Sequence, residues 1–383
     1  MKMLHVLCAA GILTVLVGSG YHLVDALSDE GLIRAARAGG KTYTATMYVA
    51  GMGGHFAVAD IHIDPADQNQ PITVTKLEKL DIGELSTHPT HDARIDQMDR
   101  NTMYWSTYKL DNWQDKAQGQ GKLHVGKSDL SSGKVLVDVA VTPPERAGWT
   151  GANYCGSGQS ANSFIPVSMA DEGYLDIWDK KTMQLKHRVF FDDLGIKAGE
   201  ITFAHGTNTP DMKKFLLTVN LTPNGFTKWT GNTRLIMLDM AELEKGKIKM
   251  LSQGIITGKP KDSSGGTITF RQYFSPDGRY LFQSGADRAF MIDAETLKVI
   301  DEITPLPGEN HDIIPTPDNK FAVLALREKK KDFEGQNSVD GTLMLYDVEQ
   351  RKVVGNTASV CFGCHNQEGI GKAILCGLDA NWK

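Results

Sequence analysis

The sequence predicts an all-β chain folded as a six- or seven-bladed β-propeller, and three observations carry that prediction. A hairpin pattern recurs as YLDIWDKKTMQLKHRV from Tyr174, RLIMLDMAELEKGKIKM from Arg234, AFMIDAETLKVIDEI from Ala289 and LMLYDVEQRKVVGN from Leu343. Each is an apolar strand, an aspartate, a polar turn and an alternating strand; the aspartates 179, 239, 293 and 347 are 60, 54 and 54 residues apart. Upstream of the last three copies lies a Pro-Asp turn followed by a strand: TPDMKKFLLTVN from Thr209, SPDGRYLFQSG from Ser275 and TPDNKFAVLAL from Thr316. Proline presets φ for a turn and aspartate bonds the backbone beyond it. Two such turns per period give four strands per repeat. No long helical periodicity follows the N-terminal segment, which argues against a parallel α/β sheet.

Taken in chain order, residues 1–20 read MKMLHVLCAAGILTVLVGSG, a basic start, an apolar run and small residues. This is the pattern of an export signal, or of a membrane anchor if the segment is not cleaved. Residues 21–40 are a linker. The propeller is expected over 41–355, with weaker hairpins around Asp64 and Asp129 and a variant turn at QMDRNTMYWSTY from Gln97. A seventh blade is expected only if the two chain ends pair. Residues 356–383 are expected to form a C-terminal tail.

With 41% hydrophobic and 23% charged residues, the chain can bury a sizeable core, and a net charge of −5 gives no reason to expect nucleic acid. Export places the chain where disulfides and covalent haem are both stable. Phosphate-cradling loops, nucleophile elbows and zinc-helix motifs are missing from the sequence.

The tail contains Cys361, Cys364 and His365 as C-x-x-C-H. Two thiols at this spacing reach both vinyl groups of one haem, and the histidine lies under the iron, so one covalent haem c is expected. Local disulfide and zinc readings compete. After His365 the sequence has neither methionine nor histidine, so a sixth ligand would come from the propeller, a partner or nowhere. If haem takes those two thiols, Cys155 and Cys376 remain as a candidate disulfide. His88, His91, His205, His311 and His55 fall near strand starts, where a propeller's inner strands crowd around its axis. They are candidates for a channel-mouth transition metal, copper especially, or for an axial ligand and proton relay near a haem. His124 and His187 fall within hairpins and are expected at the surface.

The SPDGRYLF strand followed by Asp-Ala-Glu-Thr and a second strand resembles the YVTN-type propellers. The blades are similar to those of haem-d-type nitrite reductases and of quinoprotein and amine-oxidising dehydrogenase subunits. In size, export signal and blade organisation the chain also resembles the propeller (β) subunits of hydrazine synthase. That resemblance implies a multi-subunit redox complex making hydrazine from nitric oxide and ammonium, with haem-bearing subunits or a cytochrome carrier as partners. It also implies a periplasmic or equivalent compartment, the anammoxosome for that family. A self-contained periplasmic oxidoreductase and a haem-free, disulfide-bonded scaffold are the alternatives.

Overall fold

A computed structural model describes residues 40–51, 53–111, 121–147, 154–169, 172–222, 229–262, 265–331, 337–360 and 377–383. They form six four-stranded antiparallel blades. In blade one, β1 (Tyr43–Ala50), β2 (His55–Ile63) and β3 (Ile72–Asp81) run outward from the axis. Blades two and three are β4 (Thr90–Ile95) to β7 (Lys134–Val141) and β8 (Tyr154–Gln159) to β11 (Leu185–Phe190). Blades four and five are β12 (Ile201–Asn208) to β15 (Met250–Thr257) and β16 (Thr269–Phe274) to β19 (Val299–Ile303). Blade six is β20 (Glu309–Pro315) to β23 (Lys352–Ser359). Among the described residues the α-helical content is the single turn α1 (Met240–Leu243).

The final strand, β24 (Leu378–Trp382), is the innermost strand of blade one and pairs with β1 from Leu378↔Val49 to Trp382↔Ala45. The two ends of the chain do pair, and the result is closure of a six-bladed ring. The last residues, grouped by the sequence reading with a tail after the propeller, are therefore part of it. The haem signature and Cys376 fall in 361–376, outside the described residues, as does the N-terminal segment 1–39.

Strand patterning follows position in the blade. Middle strands are buried on both faces, because each blade packs between two others, and they read as continuous apolar runs. In β13 (Lys214–Leu221), Phe215, Leu217 and Val219 pack toward blade three against Ile165 and Val167. Leu216, between them, packs toward blade five with Leu281 and Phe290. Outermost strands such as β7 bury little and alternate. Six apolar clusters fill the six interfaces between blades.

The recurring aspartates are turn formers. The Asp179 carboxylate accepts the N–H of Lys181 and Thr182, at 3.0 and 2.8 Å, and Asp293 and Asp347 accept those of Thr296 and Gln350, each at 2.7 Å. The following residue is left-handed in each case: Met183, Leu297 and Arg351, with φ of 52°, 56° and 53°. In the Pro-Asp turns the opening hydroxyl accepts the N–H five residues on, as Ser275 does from Tyr280 at 2.9 Å.

Candidate functional site at the channel mouth

The inner strands stand in a ring, β4 against β8, β8 against β12, and so on round to β24 against β4. Residues from their N-terminal to middle parts meet toward one end of the axis. His91, Cys155, His205 and His311 are all brought together there, each at most 3% exposed. The Cys155 sulfur lies 3.0 Å from Nε2 of His205 and 3.8 Å from Nε2 of His91. The His311 ring is 6.0 Å from that of His91 and 6.2 Å from that of His205. Aromatic rings wall the group: Tyr108 stacks on His91 at 4.2 Å and Phe270 on His311 at 4.5 Å.

One layer deeper, a fully buried ionic set seals the channel. The Arg271 guanidinium pairs with Asp92 and lies 3.0 Å from Asp312. Asp312 also accepts Nδ1–H of His311 at 2.8 Å and the N–H of Gly377 and Leu378. Burial opposes the Asp312 charge, but Arg271 and His311 outweigh it and hold the carboxyl down to about 2. Asp312 thereby fixes the His311 tautomer and leaves its Nε2 lone pair for the channel.

Burial pushes the His91 and His205 imidazoles well below the usual histidine range, and His311 and Arg271 push the same way. His311 is lowered too, mainly by burial, against the pull of Asp312. The imidazoles are thus neutral, the state a metal ligand needs. Nδ1 of both His91 and His205 has no hydrogen-bond partner among the described residues. Burial lowers the Lys109 pKa, and the smaller opposing pull of Cys155 shows that the ammonium and the sulfur are near enough to interact.

Two of the five histidines chosen from sequence are elsewhere. His88 turns away from the axis to Asp138 and His124, in blade two. His55 opens β2, the third strand from the axis in blade one. His124, expected at the surface, is only 8% exposed, a correction that follows from its bonding to two carboxylates. Sequence reasoning missed Cys155 as a neighbour of the histidines, yet a signal existed. Cys155, Phe270 and His311 each lie five residues before the Ser or Thr that opens the next turn, as His91 does before Asp96; His205 lies four before Thr209.

The opposite end of the axis holds a cavity of about 480 Å³ lined by Arg94, Gln159, Asn208, Tyr273 and Asp379, among others. Arg94 lies over the Tyr273 ring at 4.8 Å, and burial raises the Asp379 carboxyl.

No family model matches the chain, and no curated protein does. Solved structures do. A protein of unknown function from Bacteroides caccae is similar at a TM-score of 0.51 and 13% identity, over 88% of this chain and 98% of its own. A chain of a nidogen/laminin complex is similar at a TM-score of 0.50 and 10% identity, over 89% and 98%. At such identities the likeness concerns the fold alone.

Proposed function

We propose that this protein is an exported oxidoreductase in which the channel mouth holds copper between Cys155, His205 and His91, with His311 as the fourth donor. The observation that carries this is the buried Cys155 sulfur between two neutral imidazoles. Around a four-coordinate ion with bonds of about 2.0–2.3 Å, nitrogen and sulfur donors lie about 3.5 Å apart. The contacts of 3.0 and 3.8 Å bracket that spacing. Thiolate with imidazole is a soft set that suits copper, and the aromatic wall and ionic seal keep bulk water from it. The set is open: each ring nitrogen approaches the sulfur, but the Cys155, His91 and His205 donors do not all lie within 4.8 Å of one another, so the rings would draw together on binding. In this reading copper supplies one-electron chemistry. The chain's own residues orient it: Asp312 holds His311, Tyr108 backs His91, and Arg271 neutralises the carboxylates beneath.

A haem c on Cys361, Cys364 and His365 is part of the reading as the electron relay to a cytochrome carrier. Support comes from chain connectivity. Gly377 packs so closely on this mouth that a Cβ there would meet the His91 carbonyl oxygen at 2.2 Å, and it donates to Asp312. His365 is twelve residues before Gly377 in the chain, a span within which a haem on the signature could reach this end of the axis.

A second reading, a docking subunit of a larger haem complex of the hydrazine synthase kind, is favoured by apolar side chains on the outer strand of blade four. Met250, Leu251 and Ile255 are 45, 43 and 60% exposed there.

The test is metal and haem content of full-length protein exported from a host with haem-attachment machinery. The expected result is one covalent haem by pyridine haemochrome and one copper, with a visible thiolate-to-copper band that Cys155→Ser abolishes. A folded Cys155→Ser protein that kept the copper and its spectrum would overturn the channel-mouth site. Absence of the haemochrome band would overturn the relay. A native mass above that of one chain would support the docking reading.

A further inference from the structure

Blade two carries a second set of donors, separate from the channel. His88 Nε2 lies 3.0 Å from one carboxylate oxygen of Asp138, and His124 Nδ1 lies 2.8 Å from the other. The donor atoms of the three residues all fall within 4.8 Å of one another, and among the described residues this is the one group of three or more so arranged. The two rings lie 4.1 Å apart, tilted by 48°.

We propose that His88, His124 and Asp138 form a binding site for a divalent transition-metal ion. Adjacent donors around a six-coordinate ion with bonds of about 2.1 Å lie about 3 Å apart, which the two nitrogen–oxygen contacts match. Two imidazoles bound at adjacent positions also bring their rings close together, as here. An independent observation points the same way. Each ring's other nitrogen already has an orienting partner: Thr87 Oγ1 is 2.8 Å from His88 Nδ1, and Asp111 Oδ1 is 3.0 Å from His124 Nε2. Carboxylate or hydroxyl partners of this kind fix the ligating nitrogen of a metal-bound histidine. The neutral donors of the channel mouth lack them at His91 and His205. Two imidazoles and one carboxylate leave positions for water, and the site is reachable: the Asp138 side chain is 34% exposed and those of both histidines 10%.

The proton count closes. Without metal, His124 donates both N–H groups to carboxylates and is an imidazolium. On binding, its Nδ1 proton goes to solvent and its Nε2–H stays on Asp111. His88 moves its proton from Nε2 to Nδ1, facing the Thr87 hydroxyl. One proton is released per ion.

The experiment is calorimetric titration of zinc chloride alone into chelator-stripped full-length protein, with Cys155→Ser as the background that removes the channel site. The expected result is one zinc equivalent in Cys155→Ser. Adding His88→Gln and Asp138→Asn removes that equivalent. Asp111→Asn, which only unseats the orienting partner, retains the stoichiometry and weakens binding 10–100-fold. Circular dichroism establishes that each variant is folded, and the Asp111→Asn result decides the question if the double change does not fold. The proposal fails if Cys155→Ser takes up no zinc, if the folded double change binds it unaltered, or if Asp111→Asn leaves affinity unchanged.

Discussion

Two histidine clusters in this propeller, one on the axis and one on blade two, are built on opposite electrostatic terms. At the channel mouth, His91, His205 and His311 are buried and held neutral, against a sulfur, with two ring nitrogens unpartnered among the described residues. In blade two, burial also lowers His124, but Asp138 and Asp111 outweigh it and raise its pKa. Burial equally raises Asp138, and the His124 and His88 contacts reverse that and lower it. The difference teaches that burial alone does not set a histidine's state. The number of carboxylates within hydrogen-bond reach does.

The sharpest way to break the comparison is at the axis. Arg271→Met leaves Asp92 and Asp312 buried without their cation, and it is expected to cost about 3–5 kcal/mol in urea unfolding. A loss under about 1 kcal/mol would mean that the ionic layer does not seal the channel. Next is the pH dependence of the metal-free protein. The unfolded chain takes up protons at its imidazoles near pH 6.5, whereas the folded mouth does not. Stability therefore falls as pH drops below about 6.5, by about 1.4 kcal/mol per pH unit for each imidazole kept neutral. His91→Gln is expected to flatten that slope. His124 has the opposite sign: its contribution is complete below about 6.5 and is lost as pH rises through its raised folded value. His124→Gln is expected to leave the acid slope intact and remove loss on the alkaline side. Equal effects of the two variants would erase the distinction between the clusters.

Smaller is Asp138→Asn. It removes the charge shared by two imidazoles, but in a partly solvated place, so the expected cost is about 1 kcal/mol in the metal-free protein. The smallest change is a control remote from both clusters. Arg351 holds φ of 53° at an exposed turn, and Arg351→Gly is expected to stabilise by about 0.5 kcal/mol, read as a small rise in urea midpoint.

Much of the architecture was legible in the sequence because its determinants are local. The hairpin aspartates, the Pro-Asp turns and the switch from continuous to alternating apolar strands depend on neighbours a few residues away, and they specify four-stranded blades one at a time. Blade number was not local. The pairing of the two chain ends, with Leu378–Trp382 in the inner place of blade one, completed that blade and closed a six-bladed ring rather than adding a seventh blade. The sites divide the same way. His91, His205 and His311 were found because each lies a few residues before a turn, on a strand expected along the axis. Cys155 shares that placement, but the sequence offers it equally as a disulfide partner for Cys376, which lies outside the described residues.

By itself, then, the sequence determined the repeating strand and turn, the apolar faces between blades, and the three histidines carried on the inner strands. Only the tertiary structure decided which of them meet. Ring closure puts strands from different blades side by side, so residues such as Asp92, Arg271 and Asp312, far apart in sequence, become partners across the axis. His88, three residues before His91, goes instead to Asp138 in its own blade. Contacts within a blade follow from chain order. Contacts across the axis exist only once all six blades have closed.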